Sequence, residues 1–306
     1  EYVEASGDPV SGEAVYRRDN LLCMTCHAIG GAGGTLGPDF TSIGASAPVD
    51  YLIDSLLQPQ KQIKEGYHVV MITKKDGTVA AGKLASENDT TVTLQDPADQ
   101  LIEIPKSTIA SQEMSPVSLM PPGLTQSLRK DEFADLIKFM SRLGKEGDFK
   151  VGSERYIRTI QSLDDKGGDQ GYADMVRHKP MKFVTTDDPR LIWRPSYSKT
   201  NGDIPLEDLP QVRGQGREFL HFIRFQLNAK TPGNSILKFN DAEGLHVFVG
   251  GAKVELVSDD TLINLKPGLN QLTVAVPVTN RSNQILRIEV LDAPSDSAQI
   301  QVVYGK

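Results

Sequence analysis

The last third of the sequence is a series of short apolar segments separated by turns, and this pattern restricts the fold more than any other feature. Turn signals recur about every 8–12 residues from residue 190 onward, which is typical of an antiparallel β-sandwich. The segments read EFLHFIRFQLNA, SILKFND, LHVFVGGAKVEL, TLINLKP, NQLTVAVPV, ILRIEVLD and AQIQVVYG. We therefore predict an all-β antiparallel sandwich domain over residues 190–306.

The charges divide the chain near residue 150. Within a total net charge of −7, residues 1–149 are strongly acidic, whereas the remainder is close to neutral. A length of 306 residues also exceeds what one hydrophobic core usually serves. We predict a first domain over residues 1–149, a linker or irregular segment over 150–189, and the sandwich over 190–306.

The first domain combines helical and strand patterns. Helices are predicted at SGEAVYRR, at APVDYLIDSLLQP and, most clearly, at RKDEFADLIKFMSRLG, where apolar residues recur at helical spacing. Between the last two helices, YHVVMITKKDGTVAAGKLA, TTVTLQD and QLIEIPKSTI predict strands, with an Asp-Gly turn inside the first segment. These strands form a small β insertion over about residues 67–112, followed by the proline-rich loop SPVSLMPPGL.

The two cysteines of the chain stand together in the motif Cys23-Met24-Thr25-Cys26-His27. A structural zinc site would need two more soft ligands, and the sequence has no other cysteine. A thioredoxin-like redox pair would be expected at the start of a helix in a βαβ unit, which the sequence does not show. The third interpretation is covalent attachment of one haem c, in which both thiols bond the porphyrin and His27 ligates the iron. We favour this interpretation.

A haem site requires further groups. The free ring nitrogen of the proximal histidine needs a hydrogen-bond acceptor, and the Pro38 carbonyl is suitably placed in sequence. For the sixth ligand we favour Met120, because Pro121 and Pro122 follow it and stiffen the backbone. Met114, His68 and an open face of the iron stay as alternatives. The predicted cofactor-binding residues are Cys23, Cys26, His27, Pro38 and Met120, and the predicted iron ligands are His27 and Met120.

Residues 8–144 resemble the haem-binding c-type cytochrome domain common in planctomycete- and verrucomicrobium-type bacteria. The matching segments are GEAVYRR, CMTCH, LGPDFTSIG, YLIDSLLQP, IKEGYHVVMI, DGTVAAGKLASE, IEIPKSTI, SLMPPGL and EFADLIKFMSRLG. The resemblance implies a class I-like helical cytochrome c fold, a small β insertion, and His27 with Met120 as the axial pair. The expected fold class is thus a multidomain α+β protein, with this cytochrome followed by the all-β antiparallel sandwich, which is similar to generic β-sandwich modules.

The expected function is electron transfer by a monohaem c-type cytochrome without a catalytic reaction of its own. The resemblance implies the C-terminal, electron-accepting part of a larger exported dehydrogenase-like protein, and a start at Glu1 without methionine fits a processed or excised chain. The partner would be a redox protein or a fused dehydrogenase domain. Haem attachment implies a periplasmic or otherwise exported location. The acidic balance gives no case for nucleic acid, and no apolar run is long enough to span a membrane.

Two alternatives stay open. One is a haem enzyme with a labile sixth ligand. The other is a cytochrome that a carbohydrate-binding sandwich docks on its substrate, in which Tyr172, Trp193 and Tyr197 would stack on sugar. Elsewhere in the second half, Met175, His178 and Met181 stand at three-residue intervals and could bind a soft metal if they share a helix face. His221 and His246 lie in strand patterns and are read as packed residues.

Overall fold

The chain divides into two units whose boundary lies between Val151 and Gly152, close to the position that the charge distribution suggests. The computed structural model describes residues 1–164, 166–168, 170–178, 180–213, 218–279 and 281–303. Each unit buries apolar clusters of its own.

Helices form one part of the first unit. They are α1 (Tyr2–Ser6), α2 (Pro9–Tyr16), α3 (Cys23–Cys26), α4 (Ile43–Ser46), α5 (Val49–Leu57) and α6 (Lys130–Arg142). The carboxylate of Asp8 caps α2 by accepting from the N–H groups of Val10 and Ser11, and Pro9 occupies the first turn. The backbones of α2 and α6 lie very close together at Gly12. A Cβ added to Gly12 would lie 2.0 Å from the carbonyl oxygen of Asp135.

A five-stranded antiparallel sheet forms the other part. Its strands are β3 (His68–Lys74), β4 (Val79–Glu87), β5 (Thr91–Gln95), β6 (Leu101–Pro105) and β7 (Ile109–Ser118), in the order β6-β5-β4-β3-β7. Ile104 of β6 and Ile109 of β7 belong to one apolar cluster with Ile72, although their strands are the two edges of the sheet. The sheet therefore curls around a core of its own. It extends to Ser118, beyond the predicted end near residue 112.

The second unit is sandwich-like and almost entirely β. Its larger sheet has the order β15-β14-β17-β12-β8-β9, with β11 and β20 also paired to β12, and a smaller sheet has the order β16-β13-β19. Inward side chains of both sheets, such as Phe225 and Phe239, share one buried cluster. The strands are β8 (Thr159–Leu163), β9 (Trp193–Tyr197), β10 (Ile204–Pro205), β11 (Val212–Arg213), β12 (Phe219–Ala229), β13 (Gly233–Phe239), β14 (His246–Val249), β15 (Ala252–Val254), β16 (Asp260–Leu265), β17 (Gly268–Pro277), β18 (Ile285–Leu286), β19 (Ile288–Asp292) and β20 (Ile300–Val302).

Residues 150–189 do not form the expected linker or irregular segment. They contain β8, which pairs with β9 and β12 in the larger sheet. They also contain helices α7 (Gln170–His178) and α8 (Pro180–Thr185), which bury Val176 and Val184 against Phe222 of that sheet. The short elements lie between Gly, Asp and Lys residues that weaken the sequence pattern, and tertiary pairing decides their structure.

The predicted fold class is wrong. Of the described residues, 36% lie in strands and 22% in helices, in several antiparallel sheets, and no helical class I cytochrome arrangement is evident among them. The physical reason is visible in the first unit: α1, α3 and α4 have only five, four and four residues, whereas the sheet has a core of its own. The sandwich-like β character of the second unit is the part of this prediction that holds.

Candidate functional site

The Cys-x-x-Cys-His motif forms a single helical turn. Leu22, in the left-handed conformation with φ of 56°, precedes α3. The turn closes where the N–H of His27 donates to the carbonyl oxygen of Cys23 at 2.8 Å. Both thiols are half-buried and are not joined by a disulfide bond. One turn therefore presents two thiols and an imidazole from five consecutive residues.

The glycine-rich segment after this turn folds back over it. Ala28–Ile29 (β1) and Ala32–Gly33 (β2) form a small hairpin, and Gly30 and Gly31 supply its turn with φ of 59° and 83°. The N–H groups of Gly34 and Gly37 then donate to the carbonyls of Met24 and Cys26 at 2.9 Å and 2.8 Å. A Cβ at Gly34 would lie 1.9 Å from the carbonyl oxygen of Thr25.

The ring of His27 is held in one orientation and one tautomer. Its Nδ1 lies 2.8 Å from the carbonyl oxygen of Pro38, which is the contact expected from the sequence. Because a carbonyl can only accept, Nδ1 must carry the hydrogen, and in the neutral ring the lone pair is on Nε2. Burial lowers the pKa of His27 to about 4, with the Pro38 carbonyl and Asp39 opposing this shift. The ring is therefore neutral at pH 7.

Aromatic packing fixes the same ring. Phe40 stacks on His27 with ring centroids 4.0 Å apart and an interplanar angle of 18°. Tyr16 donates from its hydroxyl to the carbonyl oxygen of His27 at 2.9 Å, and the Tyr16 ring packs on Phe139 of α6 with a centroid distance of 5.7 Å. The motif is thereby anchored to the helical core. Phe40 and Tyr16 are site residues that sequence reasoning missed, and the position of Phe40 two residues after Pro38 was the only available signal.

Cys23 is held as a neutral thiol. Burial raises its pKa to about 11, and its Sγ lies 3.7 Å from the carbonyl oxygen of Leu21. Thiol-disulfide exchange requires a thiolate. A thiol with this pKa is poorly suited to the redox-pair interpretation.

The candidate sixth ligands occupy different environments. Met120 is half-buried and packs against the same apolar cluster as Cys23 and Phe40. Met114 lies on the edge strand β7 and is 68% exposed. It does not pack against that cluster. His68 is half-buried and pairs in register with Ser118, at the end of the sheet from which the Met120 segment leaves. Their roles as ligands stay predictions.

The second unit does not present the aromatic platform considered for sugar. Tyr172 and Tyr197 are buried, with 8% and 9% exposure. Trp193 packs at the edge of an apolar cluster, and the guanidinium of Arg224 lies 4.2 Å from its ring centroid. All three side chains belong to the packing of the larger sheet.

The histidine and methionine candidates of this unit are also separated by their environments. Met175 is buried in the cluster beneath α7, whereas His178 is exposed at the end of that helix, and Met181 is half-buried on α8. His221 is buried, and its Nδ1 lies 3.0 Å from the carbonyl oxygen of Pro210. His246 is half-buried on β14. The expected packed role of His221 fits its environment.

A cavity of 410 Å³ lies beside Asp164 and Lys166 and the segment 209–211. The carboxylate of Asp164 accepts from the N–H of Lys166 at 2.8 Å through one oxygen and from Arg194 through the other. Both oxygens are therefore already engaged within the protein.

Two absences concern the part of the chain that the structure describes. There, no group of three or more His, Cys, Asp or Glu side chains is arranged to hold a metal ion. Likewise, none of the described helices combines the length and the apolar character needed to cross a membrane.

Comparisons with known proteins give little support for relatedness. No family model matches the chain, and no curated protein matches it. Among solved structures, one described as an anti-sigma factor domain-containing protein is similar at 9% sequence identity and a TM-score of 0.26, covering 78% of this chain and 79% of its own. A likeness at this level carries no argument about fold or function.

The resemblance of residues 8–144 to the haem-binding cytochrome domain is therefore wrong as an assignment of family. No family model matches, and the fold lacks the expected class I arrangement of helices in its described residues. The short motifs that suggested the resemblance specify local chemistry, but segments of five to ten residues constrain a fold weakly.

Proposed function

We propose that the first unit binds one haem c through thioether bonds from Cys23 and Cys26, with His27 as an iron ligand, and serves in electron transfer. The proposal rests on the residues of the site and not on a family. The observation that carries it is the His27–Pro38 hydrogen bond of 2.8 Å, beside two half-buried thiols on one helical turn.

The side chains of this site are chemically suited to bind haem. Iron ligation by histidine needs a neutral ring with one nitrogen available, and the Pro38 carbonyl leaves the lone pair on Nε2. The lowered pKa keeps the ring neutral down to about pH 4. When bound, haem supplies one-electron oxidation and reduction at its iron. The chain itself orients the His27 ring, positions the two thiols and provides an apolar environment around them.

Met120 is the sixth ligand that we propose. It packs on the apolar cluster that also contains Cys23 and Phe40, whereas Met114 is largely exposed. A thioether ligand favours the reduced state of the iron and raises the reduction potential. This assignment favours an electron carrier over an enzyme, because a reaction at the iron requires an open or labile position.

Covalent haem content tests the proposal directly. The full chain, expressed with a haem-attachment system, is denatured and its absorption measured in alkaline pyridine. We expect one haem per chain in the wild type and a loss of haem in Cys23→Ser and Cys26→Ser. The control Thr25→Ala should not change the haem content, because Thr25 stands between the two cysteines in the sequence but its side chain is exposed. Absence of covalent haem from the wild type would contradict the proposal.

The spectrum of the same protein separates the electron carrier from the haem enzyme. A low-spin, six-coordinate iron supports electron transfer, and a high-spin, five-coordinate iron supports the enzyme.

The proposed location follows from the chemistry of haem attachment. Because bacteria attach haem c outside the cytoplasm, we propose an exported protein. Its proposed partner is a protein or fused domain that donates or accepts electrons.

A further inference from the structure

The five-stranded sheet contacts both segments that carry proposed haem-binding groups. It contacts Thr35, which lies in the loop that leads to Gly37 and Pro38. Its last residue, Ser118, is two residues before Met120.

Two side chains of the sheet hold the Thr35 position. Nζ of Lys83 donates to the carbonyl oxygen of Thr35 at 2.5 Å. Nε2 of Gln95 donates to the Thr35 hydroxyl at 3.0 Å. Gln95 is only 7% exposed, so water competes poorly for its hydrogen bond. The loop is thus attached through both its backbone and its side chain.

The two donors are themselves fixed by the sheet. The amide nitrogen of Gln95 also donates to the carboxylate of Asp99, so two partners orient it. Nζ of Lys83 lies 5.2 Å from the ring centroid of Tyr67, in the range of a cation-π contact. The sheet therefore holds both hydrogen-bond donors in fixed positions, and these donors set the position of the Thr35 loop.

The Met120 segment is attached at the same end of the sheet, because Lys83 and Ser118 pair with the adjacent residues Val69 and His68 of β3. The hydroxyl oxygen of Ser118 accepts from the N–H of Met120 at 3.1 Å. The N–H of Ser118 donates to the side-chain oxygen of Gln60, which follows α5. Ser118 also pairs in register with His68 of β3. These contacts set the direction in which the chain leaves β7.

We propose that the sheet of residues 68–118 is a positioning element for the site, in which Lys83 and Gln95 hold the loop that orients His27 and Ser118 holds the segment that carries Met120. None of these three side chains is a ligand; each acts through a neighbouring segment. The part that concerns iron rests on the proposed function. The attachment of the loop does not depend on haem.

Amide hydrogen exchange of the full chain without haem tests the loop attachment. In Gln95→Ala we expect the N–H groups of Gly34 and Gly37 to exchange about tenfold faster, because the loop opens locally. Gln100→Ala is the matched control, since Gln100 is exposed and its amide donates to Ala98 within its own hairpin. Amides of α6 report global unfolding and should not change.

Lys83→Met is a second variant that leaves the buried Gln95 in place, with Lys106→Met as its control. Lys106 directly follows β6 and pairs with Glu87 at 2.7 Å. Exchange of Gly34 and Gly37 that is equal in all four variants and the wild type would overturn the loop attachment.

Binding of added imidazole to the haem-loaded protein tests the Met120 attachment. In Ser118→Ala the methionine leaves the iron more easily, and we expect the apparent affinity for imidazole to rise about tenfold. Ser115→Ala is the control, because the Ser115 hydroxyl accepts from the N–H of Val117 at 3.1 Å in the same type of contact. Equal affinities in these two variants would overturn this half of the proposal.

The outcomes separate the two proposals. Faster exchange in a chain that never attaches haem supports the loop attachment and contradicts the proposed function. Unchanged exchange in a chain that does attach haem contradicts the loop attachment and leaves the proposed function intact.

Discussion

Gly37 lies so close to the imidazole of His27 that a Cβ at this position would be 2.4 Å from Cε1 of the ring. No real Cβ makes such a contact, so the ring or the loop must move in Gly37→Ala. We expect this variant to lose the His27–Pro38 hydrogen bond and to attach less haem. Overpacking of this type also costs about 1–3 kcal/mol of the free energy of unfolding. Haem content and urea unfolding measure the two effects.

The control for Gly37→Ala is Gly66→Ala. Gly66 has φ of 82°, so alanine is strained there, but its Cβ would meet nothing within 4 Å. This variant should lose about 1 kcal/mol of stability through backbone strain and attach haem normally. Normal haem content in Gly37→Ala would contradict the role given to this close approach.

The sequence predicted the local geometry of this site better than its surroundings. The spacing of Cys23, Cys26 and His27 specifies one helical turn, and Pro38 stands where its carbonyl can reach the ring, because these relationships are local. Phe40 stacking and the fold-back at Gly34 depend on tertiary contacts. No periodicity in the sequence encodes them.

The fold was also predicted correctly where the sequence pattern is local, and incorrectly or not at all where tertiary contacts decide the structure. Helices α5 and α6 and the strands after residue 190 have clear periodic patterns and were predicted. The class I arrangement was wrong because it was inferred from short motifs, whereas the curled core around Ile72 and Ile104 follows from strand order. Strand β8 was missed because it gains its stability from pairing with β12, which lies far along the chain.

The packing of α2 on α6 depends on the absence of a side chain at Gly12. Its Cβ would lie 2.0 Å from the carbonyl oxygen of Asp135 and 2.7 Å from Cβ of Phe139, and helix backbones cannot yield as side chains do. We expect Gly12→Ala to lower the free energy of unfolding of the first unit by about 3 kcal/mol, at the upper end for overpacking. Val10→Ala, on the same helix at a side chain that is 65% exposed, should change it by less than about 0.5 kcal/mol. Equal stability of the two variants would contradict this packing.

Met120 and Met114 give a matched pair for the iron ligand. Met120 is half-buried against the apolar cluster on which Cys23 also packs, whereas Met114 is 68% exposed on β7. In the haem-loaded protein we expect Met120→Ala to convert the iron from low spin to high spin and to lower the reduction potential, because the thioether that favours reduced iron is lost. Met114→Ala should leave both unchanged. A high-spin wild type would favour an open face, and a low-spin spectrum that is unchanged in Met120→Ala would favour another ligand such as His68; either result excludes Met120.

His221 makes the stability of the second unit depend on pH. Burial lowers its pKa below the ordinary value of 6.5, and the carbonyls of Pro210 and Leu209 oppose this shift. Between pH 6.5 and the lower value in the folded protein, the unfolded chain binds a proton that the folded chain does not. Stability is therefore fully present above pH 6.5 and falls as the pH decreases below it.

The variant His221→Asn removes the titration and keeps a donor in place of Nδ1, because its side-chain amide nitrogen is the same number of bonds from Cβ. We expect the wild type to lose more stability than this variant between pH 7.5 and pH 5.5, measured by urea unfolding followed with second-unit signals. His178→Asn, at an exposed position on α7, is the control and should follow the wild type, because it leaves the buried His221 in place. If His221→Asn loses as much stability as the wild type over this range, the pH dependence comes from groups other than the buried His221.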